Sequence, residues 1–121
     1  GDEAEKQAER ALELVRKSPD LLKKLLEAMA EELKRQGKSP DEIQKAKDEV
    51  KTKVEQAIRE WKQGNEEQAR KDMRKVLKSP AFKQAVKVME EQEPNNPEVQ
   101  ELKKAMEEAE RGSLEHHHHH H

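Results

Sequence analysis

Lys-Ser-Pro occurs three times in this chain, at Lys17-Ser18-Pro19, Lys38-Ser39-Pro40 and Lys78-Ser79-Pro80, and Asn96-Pro97 repeats the scheme with asparagine. A serine or asparagine oxygen in this position can accept a hydrogen bond from an orphan amide of a following helix. Proline at the first helical position gives up an N–H that the helix does not need there. Proline also drives the preceding residue out of the helical region, so one dipeptide both ends a helix and begins the next. Gly37 and Gly64 supply the left-handed residue that stops a helix. Ser39 with Glu42 matches the S-x-x-E capping box, and Asn65 with Gln68 stands in the same relation. The chain is thereby divided into helices joined by very short connections. The Lys-Ser-Pro copies are unequally spaced, so they are a reused connector; a stacked solenoid of fixed period is disfavoured.

The apolar residues between these marks follow helical spacing. Ala4, Ala8, Ala11, Leu12 and Val15, with Leu14 beside them, predict a helix over about 2–17. Leu22, Leu25, Leu26, Met29 and Leu33, flanked by Leu21 and Ala28, make the broadest apolar face, on a helix over about 19–36 that should sit centrally. Ile43, Ala46, Val50, Val54, Ala57, Ile58 and Trp61 form a narrow stripe along a helix over about 40–63, long enough to span the domain. Ala69, Met73, Val76 and Leu77 mark a fourth helix over about 66–78. Phe82, Ala85, Val86 and Met89 mark a fifth over about 80–92, and Val99, Leu102, Met106 and Ala109 a sixth over about 97–111. Ala, Leu, Glu, Lys, Gln and Arg dominate, Thr52 is the only threonine, and no segment alternates apolar and polar residues long enough for a strand. The fold class is all-α: one compact, irregular six-helix domain over residues 1–111, not a simple up-and-down bundle. The single-residue Ser-Pro breaks should be corners, and the glycine connections sharper reversals. Residues 112–121, GSLEHHHHHH, read as a purification tag outside the fold and are expected to be disordered.

Charge placement follows the helix dipole at most ends, with acids such as Asp20, Asp41, Glu42, Glu66 and Glu98 in first turns and bases such as Lys17, Arg35, Lys62 and Lys78 in last turns. Acid-before-base pairs four residues apart, such as Glu13 with Lys17, Asp20 with Lys24, Glu31 with Arg35 and Glu67 with Lys71, add to this. The fifth helix is reversed. It begins with Lys83 and ends in Glu90, Glu91 and Glu93, which leads us to expect basic groups of neighbouring helices beside it.

Composition removes most function classes. The 25 basic and 27 acidic residues are interleaved and leave a formal charge of −2, so no block of like charge draws nucleic acid or an anionic membrane. No cysteine is present, which excludes a thiolate nucleophile, a thiol zinc site and an iron-sulfur cluster. The apolar runs are too short to cross a bilayer and no secretory leader is visible, so a soluble recombinant protein, cytoplasmic in an expression host and with no natural compartment, is expected.

The remaining chemistry is sparse. The only histidines are His116 to His121, so a His-dependent nucleophilic site has no base, and the sole Glu-x-x-His match, Glu115 with His118, falls in the tail. That tail should bind nickel or zinc adventitiously through imidazole nitrogens. Adjacent acids such as Glu31-Glu32, Glu66-Glu67 and Glu107-Glu108 could in principle run glycoside hydrolysis, but raising one pKa needs an apolar pocket, and a solvated face explains them better. Met29, Met73, Met89 and Met106 sit in register with four apolar stripes and read as core filling; a groove for a partner helix is the alternative. Trp61 reads as a core plug ahead of an interface anchor, and Arg59 and Lys62 beside it do not make a nucleic-acid surface. No catalytic, cofactor-binding or metal residue is assigned, and no cofactor, natural partner or enzymatic activity is expected.

These features together resemble a recognisable class, computationally designed idealised all-α proteins. The resemblance covers the whole body of the chain and rests on the four Ser-Pro and Asn-Pro caps, the glycine stops, the dipole-matched charges and the near absence of functional side chains. It implies a monomer made to test whether a chosen backbone can be encoded, with no substrate and no evolved partner. The competing reading is a small helical interaction module presenting a Met/Leu-lined groove to a partner helix. The starts Ser18-Pro19-Asp20-Leu21-Leu22 and Asn96-Pro97-Glu98-Val99 are similar to Pro-initiated helices of chaperone-associated domains, a likeness that capping alone explains. An engineered binder would need an exposed apolar patch beyond the stripes that a core requires.

Overall fold

Each Ser-Pro, Asn-Pro and glycine signal falls at a helix boundary. The computed structural model describes the backbone of residues 2–119 and the side chains of residues 5–111. Six helices follow in order: α1 (Asp2–Lys17), α2 (Pro19–Arg35), α3 (Pro40–Lys62), α4 (Glu66–Lys78), α5 (Pro80–Gln92) and α6 (Pro97–His119). No strand is present among the described residues. The protein is all-α with six helices, as expected. α6 runs on beyond the end expected near Arg111: Gly112 lies within the helix, and no proline follows to break it. Ala4 and the side chains from Gly112 onward lie outside the described residues.

The two glycines stop helices by the same device. Gly37 has φ +86° and Gly64 φ +87°, the left-handed conformation that an added Cβ disfavours. The Lys38 amide donates to the Leu33 carbonyl and the Gly37 amide to Lys34, each at 3.0 Å, which is the Schellman closure. Asn65 to Glu60 at 2.8 Å and Gly64 to Trp61 at 3.1 Å repeat it.

The serines divide into three cases. At Ser39 the capping box is complete, with the Glu42 amide donating to Ser39 Oγ at 3.2 Å and the Ser39 amide to Glu42 Oε1 at 3.5 Å. Ser79 makes no side-chain cap, and Asn65 makes none either. Ser18 also leaves α2 uncapped, and its hydroxyl donates instead to Glu98 Oε2 at 2.7 Å, bridging the α1–α2 corner to the start of α6. The expectation of side-chain caps at Ser18, Ser79 and Asn65 is therefore corrected. Proline at the first helical position and the turn's own backbone bonds suffice at both serines. Asn96 behaves as expected, accepting from the Glu98 amide at 3.0 Å.

Connection type sets the tertiary path. The one-residue corners at Ser18 and Ser79 leave α1 and α2, and likewise α4 and α5, touching only near their shared corner, whereas α3 folds back along α4 through the Gly64 turn. The two bent arms, α1–α2 and α4–α5, lie side by side with α1 on α4 and α2 on α5. α3 covers one flank, against α2 and α4. α6 covers the other, against α1, α5 and α4. α1 and α6 meet through alanine-rich faces, with Ala8 and Ala11 on one and Ala105 and Ala109 on the other all fully buried, so their axes can approach closely.

One continuous core draws on every helix, including Leu12, Leu25, Met29, Val54, Met73, Leu77, Phe82, Met89 and Leu102. The narrow stripe of α3 is satisfied within the chain, since Val50, Val54 and Ala57 are buried and Ala46, Ile58 and Trp61 pack against the core. Ile43, half-buried at the start of the stripe, stays outside that cluster. Val88, Ala105 and the polar Gln7 are buried although the stripes did not single them out.

Leu25→Asp places a carboxylate at a fully enclosed site and should cost more than about 4 kcal/mol, while Leu22→Asp, on a half-buried neighbour, should cost clearly less. Urea unfolding of both variants checks this ranking; equal losses would misplace the α2 face. In the same assay Ser39→Ala should lose about 1 kcal/mol and Ser79→Ala no more than about 0.5 kcal/mol. Equal losses would mean that Ser79 caps α5 in solution.

Candidate functional site

A site needs a concavity, chemically competent groups and a perturbation that tunes them. Two concavities adjoin each other at the Ser18–Glu98 hydrogen bond. One, of about 400 Å³, is lined by Arg10, Glu13, Leu14, Lys17 and Glu101 with Ser18 and Glu98; the other, of about 350 Å³, by Pro19, Asp20, Leu21, Lys24 and Asn96 with Lys17, Ser18 and Glu98. Both are open, and their walls alternate in charge. Their ion pairs are closed on themselves: Lys17 Nζ lies 2.9 Å from Glu13 Oε1, and Lys24 Nζ 3.8 Å from Glu93 Oε1 at the cleft edge. The Lys17 hydrogen bond and charge hold the Glu13 carboxyl below its ordinary value, the wrong direction for a general acid.

The paired carboxylates singled out in the sequence are dispersed over exposed or half-buried helix surfaces. Glu31 accepts from Gln92 Nε2 at 3.3 Å, Glu32 pairs with Arg35 at 3.3 Å, Glu66 with Arg70 at 3.9 Å, Glu67 with Lys71 at 3.7 Å and Glu108 with Arg111 at 2.9 Å. No group of three or more potential metal ligands occurs among the described residues. The tail histidines and the Glu115–His118 match lie outside the described side chains.

The methionines are core residues. Met29, Met73 and Met89 are fully buried, and Met106 packs against the core from its edge. Trp61 is half-buried and packs against the core, with its remaining edge in a small cleft of about 90 Å³ shared with Glu9, Leu12, Glu13 and Arg16. Three of the four methionines are therefore enclosed in this conformation. No helix of the described structure is long and apolar enough to cross a membrane.

Two charged arrangements remain. At the α4–α5 corner, burial and the neighbouring charges of Arg74 and Lys83 push the Lys78 ammonium below its ordinary value. At the α3–α4 seam, Glu60 and Asp72 bring two carboxyls together across helices. Sequence reasoning missed this pair, because the two acids are on different helices and only the register of the Gly64 turn joins them.

Three of the four charges that reverse α5 find partners on neighbouring helices. Glu90 takes Lys103 at 2.8 Å, Lys83 takes Glu110, and Glu93 takes Lys24. Lys103 and Glu110 follow one another along α6 in the reverse order of Lys83 and Glu90, which is antiparallel register. The Lys103 hydrogen bond lowers the Glu90 carboxyl, and Glu90 in turn raises the Lys103 ammonium.

No protein-family model matches the chain, and no curated protein matches it closely enough to count as a relative.

The α5–α6 pairing is testable by charge reversal. Glu90→Lys should lower the melting temperature, and adding Lys103→Glu to the same chain should restore most of the loss. A double variant no better than the single one would show that the pair does not form.

Proposed function

We propose that the chain is a computationally designed all-α scaffold that encodes a chosen backbone, with no substrate, cofactor or evolved partner and no enzymatic activity. The observation that carries this reading is the agreement between local signal and tertiary role. Proline starts, glycine stops and apolar stripes fall where the packing needs them, and three of the four reversed charges at α5 meet opposite charges on α2 and α6. Consistency across levels is the aim of design procedures, whereas working sites usually break a local rule. The clefts beside Ser18 support the same reading, since charged and polar side chains predominate in their linings and the Glu13 carboxyl is lowered, away from what acid catalysis needs.

The competing module, a Met/Leu-lined groove for a partner helix, would require the core to open, because three of the four methionines are enclosed in it. In the proposed reading, nickel or zinc binds only at the histidine tail.

The purified chain should sediment with the mass of one copy, show strong helical minima, and unfold cooperatively at a guanidinium midpoint above about 5 M. A broad transition at low denaturant that sharpens on adding an amphipathic helical peptide would contradict the scaffold reading and favour the module.

A further inference from the structure

The α3–α4 seam contains two carboxyl oxygens that neither water nor a donor reaches. Glu60 Oε1 on α3 and Asp72 Oδ2 on α4 are both shielded from solvent and accept no hydrogen bond, although each residue as a whole is half-buried. Their other oxygens are served from four residues earlier on the same helix: Gln56 Nε2 donates to Glu60 Oε2 at 3.4 Å and Gln68 Nε2 to Asp72 Oδ1 at 3.1 Å. The two carboxyls lie within hydrogen-bonding reach of each other. Two ionised carboxylates so placed repel and leave two desolvated acceptors unsatisfied. One proton between them removes the repulsion and supplies the missing donor.

We propose that Glu60 keeps its proton in the folded protein and donates it to the facing Asp72, and that this proton makes the α3–α4 seam an acid-strengthened joint.

Several of the surrounding charges are engaged elsewhere. Arg59, on Glu60's own helix, favours the ionised form, but its influence is smaller than that of the facing Asp72 and of burial. On α4, Arg70 is engaged by Glu9 of α1 at 3.7 Å and by Glu66, and Lys71 by Glu67. Arg74, two residues beyond Asp72, lowers Lys78 by its charge, and its own Nε is buried without a hydrogen-bond partner. The other helices packed on α3 and α4 contribute several closed pairs: Glu13 with Lys17 and Arg16 on α1, Glu32 with Arg35 on α2, and Lys83 of α5 with Glu110 of α6.

The contact with Asp72 and burial together raise the Glu60 carboxyl above its ordinary value of 4.5. A raised carboxyl holds its proton in the folded state where the unfolded chain has already lost it. Its stabilisation is therefore complete below the unfolded value and disappears as the pH rises through the folded one. Between those limits the folding constant falls by at most about tenfold per pH unit.

The test compares urea unfolding of the intact chain and Glu60→Gln between about pH 4 and pH 8, with a carbon-13 carboxyl titration of the unmodified chain and of Asp72→Asn by NMR. The Glu60→Gln amide can donate to Asp72 Oδ2 at every pH. The stability of Glu60→Gln relative to the intact chain should therefore rise with pH through the window above 4.5, and a pH-independent ratio would overturn the proposal. Glu60 should titrate above 4.5 in the intact chain and return toward that value in Asp72→Asn. A Glu60 midpoint at or below 4.5 would overturn it directly. A midpoint that stays raised without the Asp72 carboxyl would assign the shift to burial alone and overturn the donation to Asp72.

Discussion

No single helix of this protein carries enough apolar surface to hold itself together in water, and everything else in the structure follows from the mutual burial that remedies this. α3 contributes only Val50, Val54 and Ala57 as fully enclosed residues, and α1 contributes Leu12 and Val15 with two alanines. Helices so lean are stable only when each covers its neighbours, because tertiary packing of an apolar face supplies most helical stability in proteins. Laying the α1–α2 arm against the α4–α5 arm encloses Leu25, Met29, Phe82 and Met89 on one side of the corners and Leu12, Met73 and Leu77 on the other, with α3 and α6 closing the flanks. Alanine at the α1–α6 contact substitutes closeness of approach for side-chain bulk, which is how a chain with one phenylalanine and one tryptophan fills its interior.

The same economy explains the electrostatics. With the apolar side chains directed inward, the outward surface is almost wholly ionic, and its opposite charges are placed to meet. Pairs within one helix, such as Glu13 with Lys17, echo the helix dipole, while pairs between helices, such as Glu90 with Lys103, set the register of neighbours. α5 shows the trade between the two: its charges run against its own dipole and in favour of its contacts with α2 and α6. Exposed pairs contribute little to stability one at a time, so their role here is chiefly to disfavour other registers.

The fold was legible wherever the signal is local. Ser18-Pro19, Ser39-Pro40, Ser79-Pro80, Asn96-Pro97, Gly37 and Gly64 place the helix boundaries to within a residue or so, apart from the C-terminal end of α6, and periodicity identifies most of the core. What escaped depends on residues distant in sequence. Ser18 leaves its own helix uncapped because Glu98, eighty positions away, is brought within reach of its hydroxyl. Val88 and Ala105 fall just off the stripes drawn for their helices, and only the crossing of neighbours decides that they are enclosed. The Glu60–Asp72 contact is the clearest case, since each acid alone resembles the solvated carboxylates around it. Of a binding or catalytic site, nothing was assigned from the sequence. The clefts that the fold creates are lined largely by surface charges, which carry no chemical signature in a chain where 43% of the residues are charged.

The dependence of every helix on the shared core is tested most directly by native-state hydrogen exchange measured across low denaturant concentrations. If the core is one cooperative unit, the slowest amides of all six helices, including those beside Val54, Phe82 and Leu102, should converge on a single opening free energy equal to that of global unfolding. An α3, or an α5–α6 hairpin, whose protected amides open at distinctly lower free energy while the rest stays closed would contradict it.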